Sequence, residues 1–309
     1  MLYSRVDQIW DDESNINLVL PNSAWLCRLP TSYLEKSGTN DWQLVLDIAR
    51  ALIEDPIVLV DGDRIIDQMD QTPVAGTYSV RNAADPSKPS LKLRKGPEGK
   101  TRFVPLNDLE QSTISASSRS TVRQSGFRVE LVARDSMCVV SNARFGKCIA
   151  SHIVPFSRLD VYERIYQSPL TSDNLFEVSM GVLLRDDLSR SFDRFEWAIY
   201  ARGRNYYFHA AGIPRHDPDA NFHGKLLNVG LKNIIPNWSL RLIPDEALPK
   251  PSLCKWHWEQ CMQAHVRGFA VWDSEESTST RVPRASSMEN RGDVPKRVTR
   301  SSKKHKHKK

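Results

Sequence analysis

A change in composition near residue 273 limits how much of this chain can fold. Residues 281–309 contain 11 lysines and arginines but only two acidic residues, Glu289 and Asp293. The net charge of the 309-residue chain is +6, which leaves −3 for residues 1–280. A polar stretch without apolar periodicity cannot bury enough surface to fold by itself. We therefore predict a nearly neutral folded region over residues 1–272 and a disordered basic tail over residues 273–309.

Composition narrows the class of protein further. Hydrophobic residues make up 40% of the chain, which is a globular composition. No apolar run approaches the ~20 residues that a membrane span needs, and the N-terminus lacks the pattern of a secretory signal. The five cysteines include no Cys-x-x-Cys pair, so we do not expect a zinc site made of four cysteines. We expect the thiols to be reduced. These features predict an intracellular protein that has no membrane partner.

Residues 1–105 predict a small α/β domain without a catalytic motif. An apolar stripe that starts at Trp42 has helical spacing, Asn40 or Asp41 can cap that helix, and Pro56 follows it. The strand candidates here are residues 17–20, 57–60 and 74–81. The Ser/Thr-rich composition that follows predicts a linker over residues 106–126.

Residues 127–272 predict a second domain. Its strand candidates are residues 138–140, 148–150, 197–200 and 206–209, and a short helix is expected over residues 185–192. The clearest helix carries an apolar stripe at i, i+3, i+4, i+7, i+8 and i+11. The residues of that stripe are Trp258, Cys261, Met262, His265, Val266 and Phe269.

Four blocks of this second region carry a specific pattern. They are residues 134–141 (RDSMCVVS), 148–157 (CIASHIVPFS), 181–193 (GVLLRDDLSRSFD) and 255–268 (KWHWEQCMQAHVRG). Together they resemble the HNH nuclease domain in its fungal branch, over about 140 residues. The resemblance implies an α+β fold with an HNH-like ββα core, extra strands and a C-terminal helix, preceded by the small α/β domain.

The resemblance also implies a mechanism for the family. Two antiparallel strands and a helix hold one divalent metal, Mg²⁺ or Zn²⁺, against the scissile phosphate of DNA. The first His is the general base that activates water, an Asn orients its imidazole, and the last His binds the metal. In this chain the base position is His152, but Met180 replaces the Asn and Ser189 replaces the last His. Ser151 stands where many family members have an Asp or His that also contacts the metal.

These replacements predict weak or absent nuclease activity. Met cannot orient an imidazole by a strong hydrogen bond, and Ser is a poor substitute for imidazole at a divalent cation. The neighbouring side chains that could compensate are Asn174, Asp186, Asp187, Asp193 and His209. Asp186 and Asp187 are the candidate metal ligands, but they are explained more simply as acids favoured in the first turn of a helix.

Three functions remain open at this point. The chain can be a metal-dependent endonuclease that acts on DNA, or a degenerate HNH domain that no longer cuts and serves as a binding or scaffolding module. It can also be a protein-interaction scaffold centred on residues 1–105. In the second case the basic tail attracts phosphate in a salt-dependent way, although it can equally be a nuclear-import signal or a solubilising segment. The candidate DNA-binding residues are Lys303, Lys304, Lys306, Lys308 and Lys309.

Overall fold

The computed structural model describes residues 4–10, 13–98, 116–171, 174–231 and 243–267. Over these ranges the protein is a mixed α+β structure, as the sequence predicts. Its helices are α1 (Val6–Ile9), α2 (Thr31–Glu35), α3 (Trp42–Leu52), α4 (Ala116–Asp135), α5 (Leu159–Tyr166), α6 (Asp186–Asp193) and α7 (Pro251–His265). Its strands are β1 (Asn15–Val19), β2 (Trp25–Pro30), β3 (Ile57–Asp61), β4 (Arg64–Ile65), β5 (Gly76–Asn82), β6 (Cys148–His152), β7 (Gly181–Arg185), β8 (Trp197–Arg202) and β9 (Asn205–Ala210). None of the helices in these ranges combines the length and the apolar character that crossing a membrane requires.

The first part of the chain forms a five-stranded sheet in the order β2-β1-β5-β3-β4. Only β1 and β5 are parallel, and the other neighbours are antiparallel. The helix α3 begins where the sequence predicts, because the Asp41 carboxylate accepts a hydrogen bond from the Leu44 N–H at 3.0 Å. The strand β2, with its exposed Trp25 and Arg28, was not among the predicted strands.

Two predicted elements differ from the structure. The helix α4 begins at Ala116, inside the predicted linker over residues 106–126, and its second half is held by Phe127 and Leu131, which are buried one turn apart. Tertiary burial of this kind outweighs the low helix propensity of Ser and Thr. Residues 138–140 form a turn instead of a strand, closed by the hydrogen bond from the Cys138 N–H to the Ala143 carbonyl at 2.8 Å. Their complete burial explains the error, since a short buried apolar run has no periodicity that identifies a strand.

The core has two clusters of buried side chains, and α7 contributes to both. Trp258, Cys261 and Met262 pack with the first sheet and α3. Leu253, Cys254 and Trp256 pack in the second cluster, with β6, β7, α6, β8 and β9. A helix that is apolar on most sides is expected to be buried between layers. Residues 1–271 group into one compact unit, and the boundary at 106–126 stays a prediction. The predicted tail, with its five C-terminal lysines, lies outside the described residues.

Two buried histidines join the first part of the chain to the second. The Nε2–H of His209 donates to the Ser37 carbonyl at 3.0 Å, and that of His223 donates to the Tyr33 carbonyl at 2.8 Å. Gly224 has a φ of +74°, and a Cβ there would overlap the Lys36 carbonyl oxygen. The two backbones therefore approach as closely as glycine allows.

Candidate active site

The candidate site lies on three consecutive elements of the second part of the chain. The strands β6 and β7 are antiparallel, with His152 opposite Gly181 and Ser151 opposite Val182. The helix α6 follows β7 directly and packs on both strands. His152 is thus the last residue of β6, and Ser189 lies on the helix above the same strand pair.

The imidazole of His152 is neutral and oriented. Its Nε2 lies 2.9 Å from the Leu175 carbonyl oxygen. Because a carbonyl oxygen only accepts, Nε2 carries the proton and donates a hydrogen bond to that oxygen. Burial lowers the pKa of His152 below its usual value, and the hydrogen bond to Leu175 opposes this effect only in part. Nδ1 is therefore the unprotonated nitrogen, which is the form that a general base requires. The orientation that an Asn would give is supplied here by a backbone carbonyl.

Three phenylalanine rings surround this imidazole. Phe127 of α4 stacks on it with ring centroids 4.6 Å apart, while Phe156 and Phe176 contact it edge-on at 5.5 and 5.6 Å. Phe156 and Phe176 also contact each other at 5.3 Å. No sequence pattern predicted this cluster, because the three residues are distant in sequence and share no motif.

The position expected to hold the metal is occupied by a pair of serines. The hydroxyl of Ser151 donates to the hydroxyl of Ser189 across 2.8 Å, and the two residues are only 6% and 2% exposed. Two neutral hydroxyls that bond to each other supply neither negative charge nor an imidazole nitrogen to a divalent cation. The residues present therefore do not fit the metal that the resemblance implies.

The carboxylates that could compensate for the missing ligands do not converge on the serine pair. Asp186 pairs with Arg190 at 2.6 Å and Asp187 with Arg185 at 2.6 Å, both on the exposed side of α6. The hydrogen bond from Arg185 lowers the pKa of Asp187, so that carboxylate is already committed to a cation. Burial raises the pKa of Asp193, which disfavours its charged form.

The other two compensating candidates are also engaged elsewhere. The Asn174 amide oxygen accepts from the backbone and hydroxyl of Thr171. His209 is completely buried against Ser37 and Trp258. Among the residues that the structure describes, no group of three or more His, Cys, Asp or Glu side chains could hold a metal ion.

Met180 has a structural position. Its side chain is fully buried in the second core cluster, and its carbonyl accepts from the Ile153 N–H at 2.9 Å. The backbone on either side of it is held by Arg134, which donates to the carbonyls of Val178 at 2.8 Å and Gly181 at 2.9 Å. Arg134 and Asp135 open the first block of the sequence pattern, but neither their buried ion pair nor the role of Arg134 beside β7 was predicted.

Comparison with known proteins identifies the same part of the chain. Residues 138–200 match a family model described as HNH endonuclease, and this range contains β6, β7 and α6 with His152, Met180 and Ser189. No curated protein and no solved structure matches the chain. The match supports the family resemblance seen in the sequence: residues 138–200 are similar to the HNH endonucleases.

Proposed function

We propose that this chain is a degenerate member of the fungal branch of the HNH family, which binds nucleic acid and cleaves it weakly or not at all. The hydrogen bond between Ser151 and Ser189 carries this proposal. It places two uncharged oxygens where the family chemistry needs a metal-bound group to stabilise the leaving oxygen.

A general base alone gives little catalysis of phosphodiester hydrolysis. His152 can accept a proton from water, and a positioned base contributes typically 10²–10⁴-fold to a rate. The charge that develops on the phosphate still needs a cation. Among the described residues, no group of three or more His, Cys, Asp or Glu side chains could hold a metal ion. The retained imidazole is therefore insufficient for efficient cleavage.

Nucleic-acid binding is the part of the proposal that rests on charge. Residues 281–309 of the tail carry 11 basic residues against two acidic ones, whereas residues 1–280 are nearly neutral. Sequence-independent attraction to phosphate is the main property of such a segment. Lys303, Lys304, Lys306, Lys308 and Lys309 form its densest run.

The test of cleavage is a plasmid-nicking assay of the full chain with Mg²⁺, Mn²⁺ or Zn²⁺, with His152→Ala as the matched control. We expect the wild-type protein to nick the plasmid at most slightly faster than this control. Efficient nicking by the wild-type protein that disappears in His152→Ala would overturn the proposal, because it would require a metal site built from other residues.

The test of binding is fluorescence anisotropy with a labelled oligonucleotide at increasing salt. Changing the five C-terminal lysines to Gln should weaken binding at low salt. It should also reduce the slope of log K against log[salt] by up to roughly 4, since each phosphate contact contributes about 0.7–0.9. An unchanged slope would assign binding to the folded part of the chain.

A further inference from the structure

The aromatic cluster around His152 has an exposed side, which contributes little to the stability of the fold. Phe127 is 2% exposed and packs inside the protein, but Phe156 is 42% exposed. Burial of a Phe side chain is worth about 1.5–3 kcal/mol, and an exposed ring contributes only part of that. Phe156 nevertheless lies against the imidazole and Phe176 at 5.5 and 5.3 Å, so its face is held in one place.

The cluster also has a polar atom suited to recognition. The hydrogen bond from Nε2 to Leu175 leaves Nδ1 of His152 as an acceptor, and no described residue donates to it. An aromatic surface beside one fixed acceptor matches a nucleobase, which has a π-face and N–H donors on its edge.

The surroundings of the cluster favour a polyanion. Arg123 lies one helical turn before Phe127 on α4, and hence on the same side of that helix. Arg128 of α4 donates to the backbone carbonyls of Phe145 and Cys148 beside β6. A basic helix next to exposed aromatic rings is the arrangement with which proteins bind single strands.

We propose that Phe156, Phe176 and His152 form a stacking platform for an unpaired base of single-stranded nucleic acid. This inference rests on the proposed function and specifies its ligand. Bases in a duplex are stacked on their neighbours and cannot reach the platform without being flipped out. The serine pair beside the platform leaves the bound strand uncut.

The experiment measures anisotropy of the full chain with a 15-nucleotide oligo-dT and with a duplex of the same length. Phe156→Ala should weaken single-strand binding by about 5- to 150-fold, the range of one lost stacking contact. Duplex binding and the salt slope should stay unchanged, because neither depends on stacking. Phe156→Trp should restore the single-strand affinity, since Trp also presents a flat ring.

Phe145→Ala is the matched control. Phe145 is 54% exposed and lies before β6, whereas Phe156 follows that strand. Thermal unfolding of each variant checks that both remain folded. Equal affinities of wild type and Phe156→Ala for oligo-dT would overturn the inference, as would an equal loss in Phe145→Ala. A change in particle mass for Phe156→Ala in light scattering would also overturn it, because this face would then contact protein.

These outcomes are distinct from failure of the proposed function. That proposal fails if the wild-type protein nicks DNA efficiently through His152, or if it binds neither oligonucleotide. The platform fails alone when the wild-type protein binds oligo-dT and the ring of Phe156 makes no difference.

Discussion

The two ends of the candidate site differ in how far they match the HNH pattern that the sequence resembles. At one end His152 keeps a neutral imidazole whose orientation comes from the Leu175 carbonyl. At the other end Ser151 and Ser189 bond to each other where a metal ligand would be needed. A backbone carbonyl can orient an imidazole whatever side chain stands at position 180, but a cation needs donors from the side chains themselves. Under the proposed function, a backbone carbonyl therefore takes over the role of the Asn, whereas nothing takes over the role of the metal-binding His.

The largest predicted effect concerns Arg134, which holds the backbone on either side of Met180. Arg134 is buried, pairs with Asp135 at 2.7 Å, and donates to the carbonyls of Val178 and Gly181. Arg134→Ala should reduce the free energy of unfolding by about 3–5 kcal/mol, because it leaves the Asp135 carboxylate buried without its cation. Urea denaturation measures this change.

The matched control is Arg190→Ala, which removes an exposed i,i+4 pair with Asp186. It should cost about 0.3–0.5 kcal/mol. If Arg134→Ala lowers the free energy of unfolding by no more than this control does, the buried pair of Arg134 and Asp135 does not stabilise the backbone at the start of β7.

A second prediction contrasts His152 with the histidines that join the two parts of the chain. Burial lowers the pKa of His223 to about 4 and that of His209 well below its usual value. Both Nδ1 atoms accept N–H bonds, His223 from Ala210 and His209 from Trp258, so protonation would break them. The unfolded state therefore binds more protons below pH 6.5, and stability falls as the pH drops towards 4.

For His223 alone this loss is about 3 kcal/mol between pH 6.5 and 4. Urea denaturation across that range measures it, and His223→Gln should flatten the curve. His152 is half-buried with a free Nδ1, so His152→Ala should change the slope less. An identical pH dependence in wild type and His223→Gln would contradict the assignment.

Local signals in the sequence predicted the parts of the fold that depend on neighbouring residues. The cap at Asp41 and the strand β6 are examples, since a cap and a short β-rich run are recognisable in a few residues. The family pattern pointed to His152, Met180 and Ser189; the structure has His152 on β6, Met180 directly before β7 and Ser189 on α6.

The sequence could not predict contacts between distant residues. Leu175 acts through its carbonyl, which no residue type encodes, and Phe127 comes from a helix that was predicted partly as linker. The bond between Ser151 and Ser189 joins residues 38 positions apart. The packing of residues 33–38 against His209 and His223 was missed for the same reason.

A third prediction concerns the substitutions that would create a metal site at Ser151 and Ser189. Because Leu175 already orients His152, the missing components are ligands rather than the Asn. We expect Ser151→Asp with Ser189→His to bind Zn²⁺ in calorimetry and to raise plasmid nicking at least tenfold, about 1.4 kcal/mol in the barrier. The larger side chains should cost about 1–3 kcal/mol of stability through overpacking.

The matched comparison is Met180→Asn with Ser189→His, which restores the Asn instead of a second ligand. It should bind Zn²⁺ more weakly and nick more slowly. If this second pair is the more active one, the carbonyl of Leu175 does not replace the Asn, and both ends of the site have been lost.

The smallest predicted effect tests the serine pair directly. Ser151→Ala and Ser189→Ala should each cost about 1 kcal/mol, and the double change should cost less than their sum by about 0.5–1 kcal/mol, because one hydrogen bond is counted twice. Ser191→Ala is the control, since its hydroxyl bonds to Leu188 and Trp197 and should not couple to Ser151. Strict additivity of Ser151 and Ser189 would mean that their hydroxyls are not bonded in solution. Both oxygens would then be available to other ligands, and the contrast between the two ends of the site would lose its basis.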